Sequence, residues 1–526
     1  MDKLKVGETA VIDPEDVSGV ITSASNDVLL KFIDRRHPTY QSKETHWTFL
    51  QSCYDGGRDW FTTDNIFRYI KEGDTEYQER LKRAYRFNHS REVVDLVNKY
   101  LFKQNILRNL DDAPESVREF WKQASKTGIG IDDMARQMSL RASIQGRIAI
   151  VIDTNNSVKI LTKQEQKEFG VRIYSYIVSP EQLLDYAFDE KGELMWVKIA
   201  EVKRDDGDPI YSSGEEYLQY RLWTRNDWTL FRVVKKRGKR KVEIVDRGEH
   251  NLGVVPVVLL DNVISDSTYD SPALIDEIAY LDRAVANYLS NLDAIIQDQT
   301  FSQLVMPAQA ILPGEDGYQK MVEMGTKRIF LYDGQGGAAP SYLSPDVKQA
   351  ELIISVINKI INEIYHTVGL AGERTKQDNA VGIDNSSGVA KAYDFEKVNA
   401  LLSAKAHSLE NAENSINRIV ALWSGDKIKD DLVSYPDDFD TRGLYDEFDI
   451  AARLALIDAP DGIRQEQMKT LLDKLFPQIK KELRERLEKE IESWPAQEVE
   501  ATPNGEVVKK PGFQGAVGPE KQKPAG

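Results

Sequence analysis

Six histidines (His37, His46, His89, His250, His366 and His407) and a single cysteine, Cys53, are the side chains of this sequence best suited to hold a soft metal or to act as base and nucleophile near neutral pH. No two histidines stand three or four residues apart, the spacing that would bring both to one helix face, and none belongs to a zinc motif with a nearby carboxylate. Cys53 cannot build a zinc site alone, and no motif around it supplies the base that a nucleophilic thiol needs. It reads as a buried or incidental cysteine. Phosphate chemistry fares no better. No glycine-rich loop ends in Lys followed by Ser or Thr, so there is no P-loop. "DGQGGAAPS" has the glycines without the lysine and reads as a turn. "GIGIDD" at Gly128 lacks the third glycine of a dinucleotide fingerprint and follows no strand. No G-x-S-x-G elbow occurs. The acidic pairs Asp111–Asp112 and Asp437–Asp438 fall in linkers, where solvation accounts for them. His366 stands near the end of a helical stretch, where the dipole favours a partly charged imidazole, so capping accounts for it. Catalysis, metal and cofactor find no support in the residues.

The bulk numbers allow a large protein. The chain has 526 residues, enough for about three or four domains, with 41% hydrophobic and 29% charged residues. One cysteine forbids an internal disulfide and fits a reducing compartment. The opening "MDKLKVGETAVIDPEDVSG" has no apolar segment of the kind a signal peptide needs, and the longest largely apolar run, Val254 to Leu260, is too short to span a bilayer. The expectation is a cytoplasmic-type soluble protein. Its net charge of −16 argues against tight, static DNA binding, which depends on neutralising phosphates. A protein that lets DNA pass without sticking remains open.

The periodicity divides the chain. Up to about residue 146 it reads as helical: "HPTYQSKETHWTFLQSCYDGGRDW" starts on a Pro and breaks at Gly56–Gly57, and "DTEYQERLKRAYRFNHSREVVDLVNKYLFK" keeps Tyr77, Leu81, Tyr85, Val93, Val97 and Leu101 near helical spacing. "APESVREFWKQASKTG" and "GIDDMARQMSLRASIQG" are two more helices. From 147 to 265 the period becomes two, and "GRIAIVID", "VRIYSYIV", "ELMWVKIAEV", "EYLQYRLWT", "WTLFRVVKK" and "KVEIVD" read as one antiparallel meander. "KKRGKRK", Lys235 to Lys241, is centred on Gly238 and reads as a solvated hairpin turn rather than a nucleic-acid patch. Ser271–Pro272 opens a helix with apolar Leu274, Ile278, Leu281, Val285, Leu289 and Leu292 on one stripe, about 45 Å long for roughly 30 residues. A compact mixed module follows. A second helix carries Ile353, Ile357, Ile360, Ile361 and Ile364. The polar stretch "VGLAGERTKQDNAVGIDNSS" separates it from a third and longer helix, "GVAKAYDFEKVNALLSAKAHSLENAENSINRIVALW". Beyond the acidic linker "YPDDFDTRG" come three short helical stretches, then a Pro-, Gly-, Glu- and Lys-rich tail, 495–526, expected to be disordered.

This order of elements resembles the portal proteins of tailed bacteriophages. "HPTYQSKETHWTFLQSCYDG" with "EYQERLKRAYRFNHSREVVDLVNKYLF" looks like the portal N-terminal helices. "LGVVPVVLLDN" leading to "SPALIDEIAYLDRAVANYLSNLDA" looks like the approach to the first stem helix, and "SSGVAKAYDFEKVNALLSAKAHSLENAENSI" resembles the start of the helix after the tunnel loop. The resemblance covers about Arg36 to Trp423 and lies in the combination and order of these stretches. It implies an α+β, mainly helical, portal-like fold with these parts: a wing, 1–270; a first stem helix, 271–300; a small α/β clip, 301–345; a second stem helix, 346–367; a tunnel loop, 368–387; a long wing helix, 388–424; and a helical crown, 425–494. The acidic linker and polar tail leave the crown's limits open.

The same resemblance implies a homo-oligomeric ring of about twelve copies at the unique capsid vertex of a virion, assembled in the host cytoplasm, through which double-stranded DNA is packaged and ejected. Partners would be the terminase large subunit, a head-completion or adaptor protein and the major capsid protein, with no membrane, cofactor, metal or enzymatic step. DNA-facing residues of the tunnel loop would be Arg374, Lys376, Gln377, Asn379 and Val381; stem residues Asp293, Lys359 and His366; clip residues Met306, Tyr318 and Tyr332. Between Glu373 and Asp384 the loop carries three acidic and two basic side chains, a net −1. A near-neutral loop avoids the retention that many phosphate contacts would cause. A plain surface connection is the alternative for the loop. For the whole chain the alternatives are another head–tail connector or structural scaffold, and a DNA-processing enzyme with an unrecognised site.

Overall fold

The computed structural model describes residues 21, 23–70, 72–155, 171–236, 238–267, 269–300, 303–305, 341–343, 348–370, 388–437, 439, 461–475 and 481–492. The chain divides into a first unit, Met1–Phe439, and a second, Asp440–Gly526.

The first unit begins with helices α1 (Asn26–Asp34) and α2 (Pro38–Asp55). Pro38 occupies the first turn of α2, where a missing N–H costs nothing, and His37 Nδ1 caps the helix by accepting from Thr39 N at 3.2 Å. The helix stops at Gly56, which with Gly57 adopts positive φ before a short 3-10 turn, Arg58–Trp60. The helical pattern that follows is two helices, α3 (Asp74–Arg83) and α4 (His89–Leu101). Asn88 causes the break: its Oδ1 accepts from Arg91 N as N-cap of α4, and its Nδ2 donates to the Tyr54 carbonyl. Tyr85, placed on the apolar stripe by spacing, is exposed in the connection. Helices α5 (Glu115–Lys122) and α6 (Ile131–Gln145) complete this half.

The strands form two sheets where a single meander is expected over 147–265. Strands β4 (Leu183–Phe188), β5 (Leu194–Arg204), β6 (Glu216–Thr224), β7 (Asp227–Lys236) and β8 (Lys239–Glu249) are a five-stranded antiparallel meander. Strand β2 (Arg147–Thr154) instead lies between β3 (Ile173–Val178) and the distant β9 (Val257–Asp261), with Ile148 opposite Leu260 and Ile150 opposite Val258. The reason is burial on both faces: Ile148, Ile150 and Ile152 point into the helical core, Ala149 and Val151 into the core of the large sheet. A strand buried on both sides must be central, so β9 returns to cover its second edge. The three-stranded sheet is the wall between two cores.

Helix α7 (Ile278–Thr300) begins at Ile278 rather than Ser271 and is about 35 Å long. The backbone before it is committed elsewhere. Leu274 N donates to the Ser143 carbonyl, Asn262 Nδ2 donates to the Pro272 carbonyl, and Asp276 accepts from Ala273 N. Ser271 passes so close to the end of α6 that a Cβ on Gly146 would lie 1.9 Å from its carbonyl oxygen. Gly146, at φ 86°, is required by both conformation and space. Short strands β10 (Gln303–Val305) and β11 (Ser341–Leu343) pair antiparallel, as do β1 (Leu107–Arg108) and β12 (Val433–Ser434). Helix α8 (Lys348–Thr367) packs on α7, and both touch α4. Helix α9 (Gly388–Trp423) lies against α4, α5, α6, β2 and β9. Leu432, Val433, Tyr435 and Phe439, assigned by resemblance to the crown, contribute buried side chains to this core.

In the second unit, α10 (Asp461–Leu475) and α11 (Lys481–Glu492) pair, with Lys469 Nζ 3.1 Å from Glu492 Oε1. The tail 495–526 lies outside the described residues.

Candidate functional site

The elements that flank the polar stretch after Thr367 are α7, α8 and α9, and the site is the set of contacts that fixes them. Helix α7 buries Ile278, Val285, Ala286 and Leu289 on one face, and Asp282 lies on that same face, fully buried. Its Oδ2 accepts from Ser90 N at 3.1 Å and Ser90 Oγ at 2.8 Å, both at the start of α4, and stands 3.4 Å from Arg86 Nη2. A carboxylate at a helix N-terminus also meets the positive end of the dipole. The Arg86 guanidinium lies 4.1 Å from the centre of the Trp60 ring and donates to the Cys53 carbonyl. Arg86 Nε, Arg86 Nη1 and Asp282 Oδ1 are buried and make no hydrogen bond.

Helix α8 is held by the same α4. Tyr365 Oη lies 3.1 Å from His89 Nδ1 and donates to Glu92 Oε2. Just beyond, the helix closes in a Schellman arrangement: Gly369 N, at φ 73°, donates to the His366 carbonyl at 3.1 Å and Leu370 N to the Tyr365 carbonyl at 2.8 Å. Only a glycine takes that φ without strain.

Helix α9 carries the deepest polar groups. Lys405 is buried, with Nζ donating to Ser143 Oγ at 2.8 Å and to Asn262 Oδ1 at 2.5 Å. Burial without a carboxylate partner pushes its pKa down to about 7. Glu413 accepts from Arg108 Nε at 2.6 Å, Arg108 Nη2 at 3.2 Å and Tyr435 Oη at 2.7 Å. Asn414 accepts from Leu432 N and Val433 N and donates to the Val433 carbonyl. The strand pair β1–β12 is pinned to α9 by these two residues.

The histidines are engaged in structure. His37 caps α2 and stacks on Tyr269 at 3.8 Å. His46 joins Asp276 and Tyr280. His250 sits between Trp223 and Trp423, and burial lowers its pKa to about 4, so it is neutral. Among the described residues no group of three or more His, Cys, Asp or Glu side chains could hold a metal ion. No helix among them is long and apolar enough to cross a membrane. At the basic hairpin, Arg240 pairs with Asp34 at 2.7 Å and Lys236 with Glu243 at 2.6 Å.

Of the stem residues named from the sequence, Asp293 pairs with Arg83 at 3.6 Å, while Lys359 and His366 are exposed on α8. No hydrogen bond or ion pair among the described residues joins the three. The loop residues Arg374, Lys376, Gln377, Asn379 and Val381 and the clip residues Met306, Tyr318 and Tyr332 lie outside the described residues. Asp282, Arg86, Ser90, Tyr365, Lys405 and Glu413 were not singled out by sequence. A signal existed for two: Asp282 replaces an apolar residue on the stripe of α7, and Lys405 stands between Leu402 and Leu409 on that of α9.

With this arrangement in place, comparison with known families gives an assignment. The model of the family described as phage portal protein, SPP1 Gp6-like, matches residues 40–435, and the chain belongs to that family. No curated protein matches. Solved structures are also similar, two of which follow. One is the neck of an empty GTA particle computed with C6 symmetry, 11% identical, covering 77% of this chain and 99% of that one at a TM-score of 0.37. The other is the virion of a native gene transfer agent particle, also 11% identical, covering 78% and 99% at 0.36. Both superpositions are poor, and the assignment rests on the family model alone.

Proposed function

We propose that this chain is the subunit of a ring of about twelve copies at the unique vertex of a phage capsid, the channel through which double-stranded DNA is packaged and ejected. The observation that carries this reading is the extent of the family match, 40–435, which takes in α2 through α9 and the stretch between α8 and α9. The chain's part is structural. The ATP-driven motor would be a separate terminase large subunit docking on the clip, 301–345, replaced afterwards by a head-completion or adaptor protein, while the wing, 1–270, meets the major capsid protein.

The physical case concerns how a polar segment is presented to DNA. Helices α7 and α8 are rods anchored at α4 through Asp282 and Tyr365, and the turn at Gly369 aims the chain that follows. Residues 368–387 would then be held at the ring axis as the tunnel loop. Arg374 and Lys376 touch phosphates briefly there, Gln377, Asn379 and Val381 line the passage, and the loop's net charge near −1 keeps contacts weak. The net −16 of each chain repels the duplex elsewhere. The test is DNA packaging and retention in heads assembled with Arg374→Glu or Lys376→Glu. Impaired packaging or premature loss of DNA is expected. Wild-type behaviour in both variants would remove the loop from the mechanism.

A further inference from the structure

Of the four outer edges of the two larger sheets, three are covered. On β3, Ser175 N donates to the Ala124 carbonyl at 2.7 Å and the Ser175 carbonyl accepts from Lys126 N at 3.2 Å. On β4 the Leu184 carbonyl accepts from His37 N at 3.2 Å, and on β9 the Asp261 carbonyl accepts from Ser408 Oγ at 2.6 Å. The fourth edge, β8, is covered at one point. Asn26, the first residue of α1, donates through Nδ2 to the Arg240 carbonyl at 3.3 Å and accepts at Oδ1 from Val242 N at 2.9 Å. Its amide stands in for one residue of a neighbouring strand. Backbone groups along a strand alternate in direction, so the Val242 carbonyl and Ile244 N face the same open side. Neither has a hydrogen-bond partner on that side among the described residues. Ile244 and Val245 are 39% and 48% exposed.

An open apolar strand edge is a template for another strand, and two features narrow what this one accepts. Ile244 lies opposite Phe231 and Asp246 opposite Leu230, so Val245 is the extra residue of a bulge, which twists the edge away from a long flat strand such as that of a second copy. At the hairpin turn, Lys235, Lys239 and Lys241 are exposed and make no ion pair among the described residues. The edge therefore fits a short, acidic strand. This chain carries one. Residues 1–20 lie outside the described residues, and the described chain starts at Ile21, which packs against the core of the large sheet. Within them "ETAVID", 8–13, has β-branched Val11 and Ile12 and stops before Pro14, and the stretch from Glu8 to Asp16 holds four acids and no base. The seven residues 14–20 span up to about 23 Å when extended, whereas Ile244 is about 7 Å along β8 from Val242.

We propose that residues 8–13 add as a short antiparallel strand to the free edge of β8 in the same chain, with Val11 and Ile12 covering Ile244 and Val245, and Asp13, Glu15 and Asp16 beside Lys239 and Lys241. The tether sets the antiparallel direction, because the end of the segment has to lie near Asn26, at the start of β8. Tethering also holds the segment at an effective concentration of about millimolar, so a few hydrogen bonds suffice. The added strand closes the open edge and clamps the start of α1, whether or not the chain forms a ring.

The test uses the full-length chain and two readouts. The first is deuterium exchange, by mass spectrometry on peptides that carry the Ile244 amide. Exchange there is expected to be at least about tenfold slower in the wild type than in Val11→Pro with Ile12→Pro, which removes two donors of the segment. The second combines Ile244→Cys with Val11→Cys or with Ile12→Cys, against a clean background because Cys53 is buried. Oxidation should close a disulfide within one chain in at least one of the two pairs, with a yield that does not fall on dilution. Equal exchange at Ile244 in the wild type and the proline variant, or no disulfide in either pair, would overturn the proposal. Disulfides formed only between chains would overturn the assignment to the same chain and put a second copy's segment on the edge.

Discussion

Around Glu413 and Asn414 on α9 the buried polar groups are paired, although Asn417 Nδ2 one turn further makes no hydrogen bond, whereas along the seam between α4 and α7 the central ion pair itself is incomplete. Both oxygens of Glu413 accept hydrogen bonds, and Asn414 uses both ends of its amide. At the seam only Asp282 Oδ2 is occupied, its approach to Arg86 is 3.4 Å, and two Arg86 nitrogens face no acceptor. The difference teaches where this molecule is locked and where it has slack. A satisfied buried network permits one arrangement of its elements, while a partly satisfied one tolerates small displacements because little directed bonding is lost. The Glu413–Asn414 stretch of the long helix is therefore the fixed frame, and the foot of the two-helix rod is the compliant joint.

Three substitutions sharpen or break that contrast. The largest effect is expected from Glu413→Gln, which removes the buried carboxylate from Arg108 and leaves it the exposed Asp132, 2.6 Å from Nη1. A loss of about 3–5 kcal/mol in chemical unfolding follows from removing one member of a buried pair. Lys405→Met comes second and reads out as pH dependence. The folded pKa of Lys405 is held at about 7 against an ordinary 10.5, so between these values the unfolded chain carries a proton that the folded one lacks. Stability accordingly rises with pH across this window and gains nothing below it, by up to about 3 kcal/mol for one such group between about pH 7 and 9.5. Lys198, whose pKa burial also lowers to about 7, adds a share of the same sign. In Lys405→Met the rise should shrink to the Lys198 share, and an unchanged slope would show that Lys405 is not buried as a neutral amine. The smallest effect is expected from Asp282→Asn, about 1–2 kcal/mol, because the amide still accepts from Ser90 and Arg86 was only loosely paired. Equal losses in Asp282→Asn and Glu413→Gln would erase the distinction between frame and joint.

Much of the helical half was legible because its signals are local. Pro38 and the pair Gly56–Gly57 mark helix ends by backbone conformation alone, and both act so in the structure. What escaped depends on distant partners. The start of α7 at Ile278 is decided by Ser143 and Asn262, far away in sequence. The division of the strands into two sheets is decided by β9 returning to β2, although the unbroken apolar run of "IAIVI" carried a hint that both faces of β2 are covered. The break at Asn88 was missed because the apolar spacing on either side reads as one continuous helix. At the site, an acid or lysine in an apolar stripe is the one local trace of a buried network, and its partners come only with the fold.

The account stands or falls on assembly. Electron microscopy of the purified full-length chain, viewed down the particle axis, is the most direct measurement. A closed ring of about twelve subunits around an open hole is the predicted result. A monomer, or a compact oligomer without an axial opening, would contradict it.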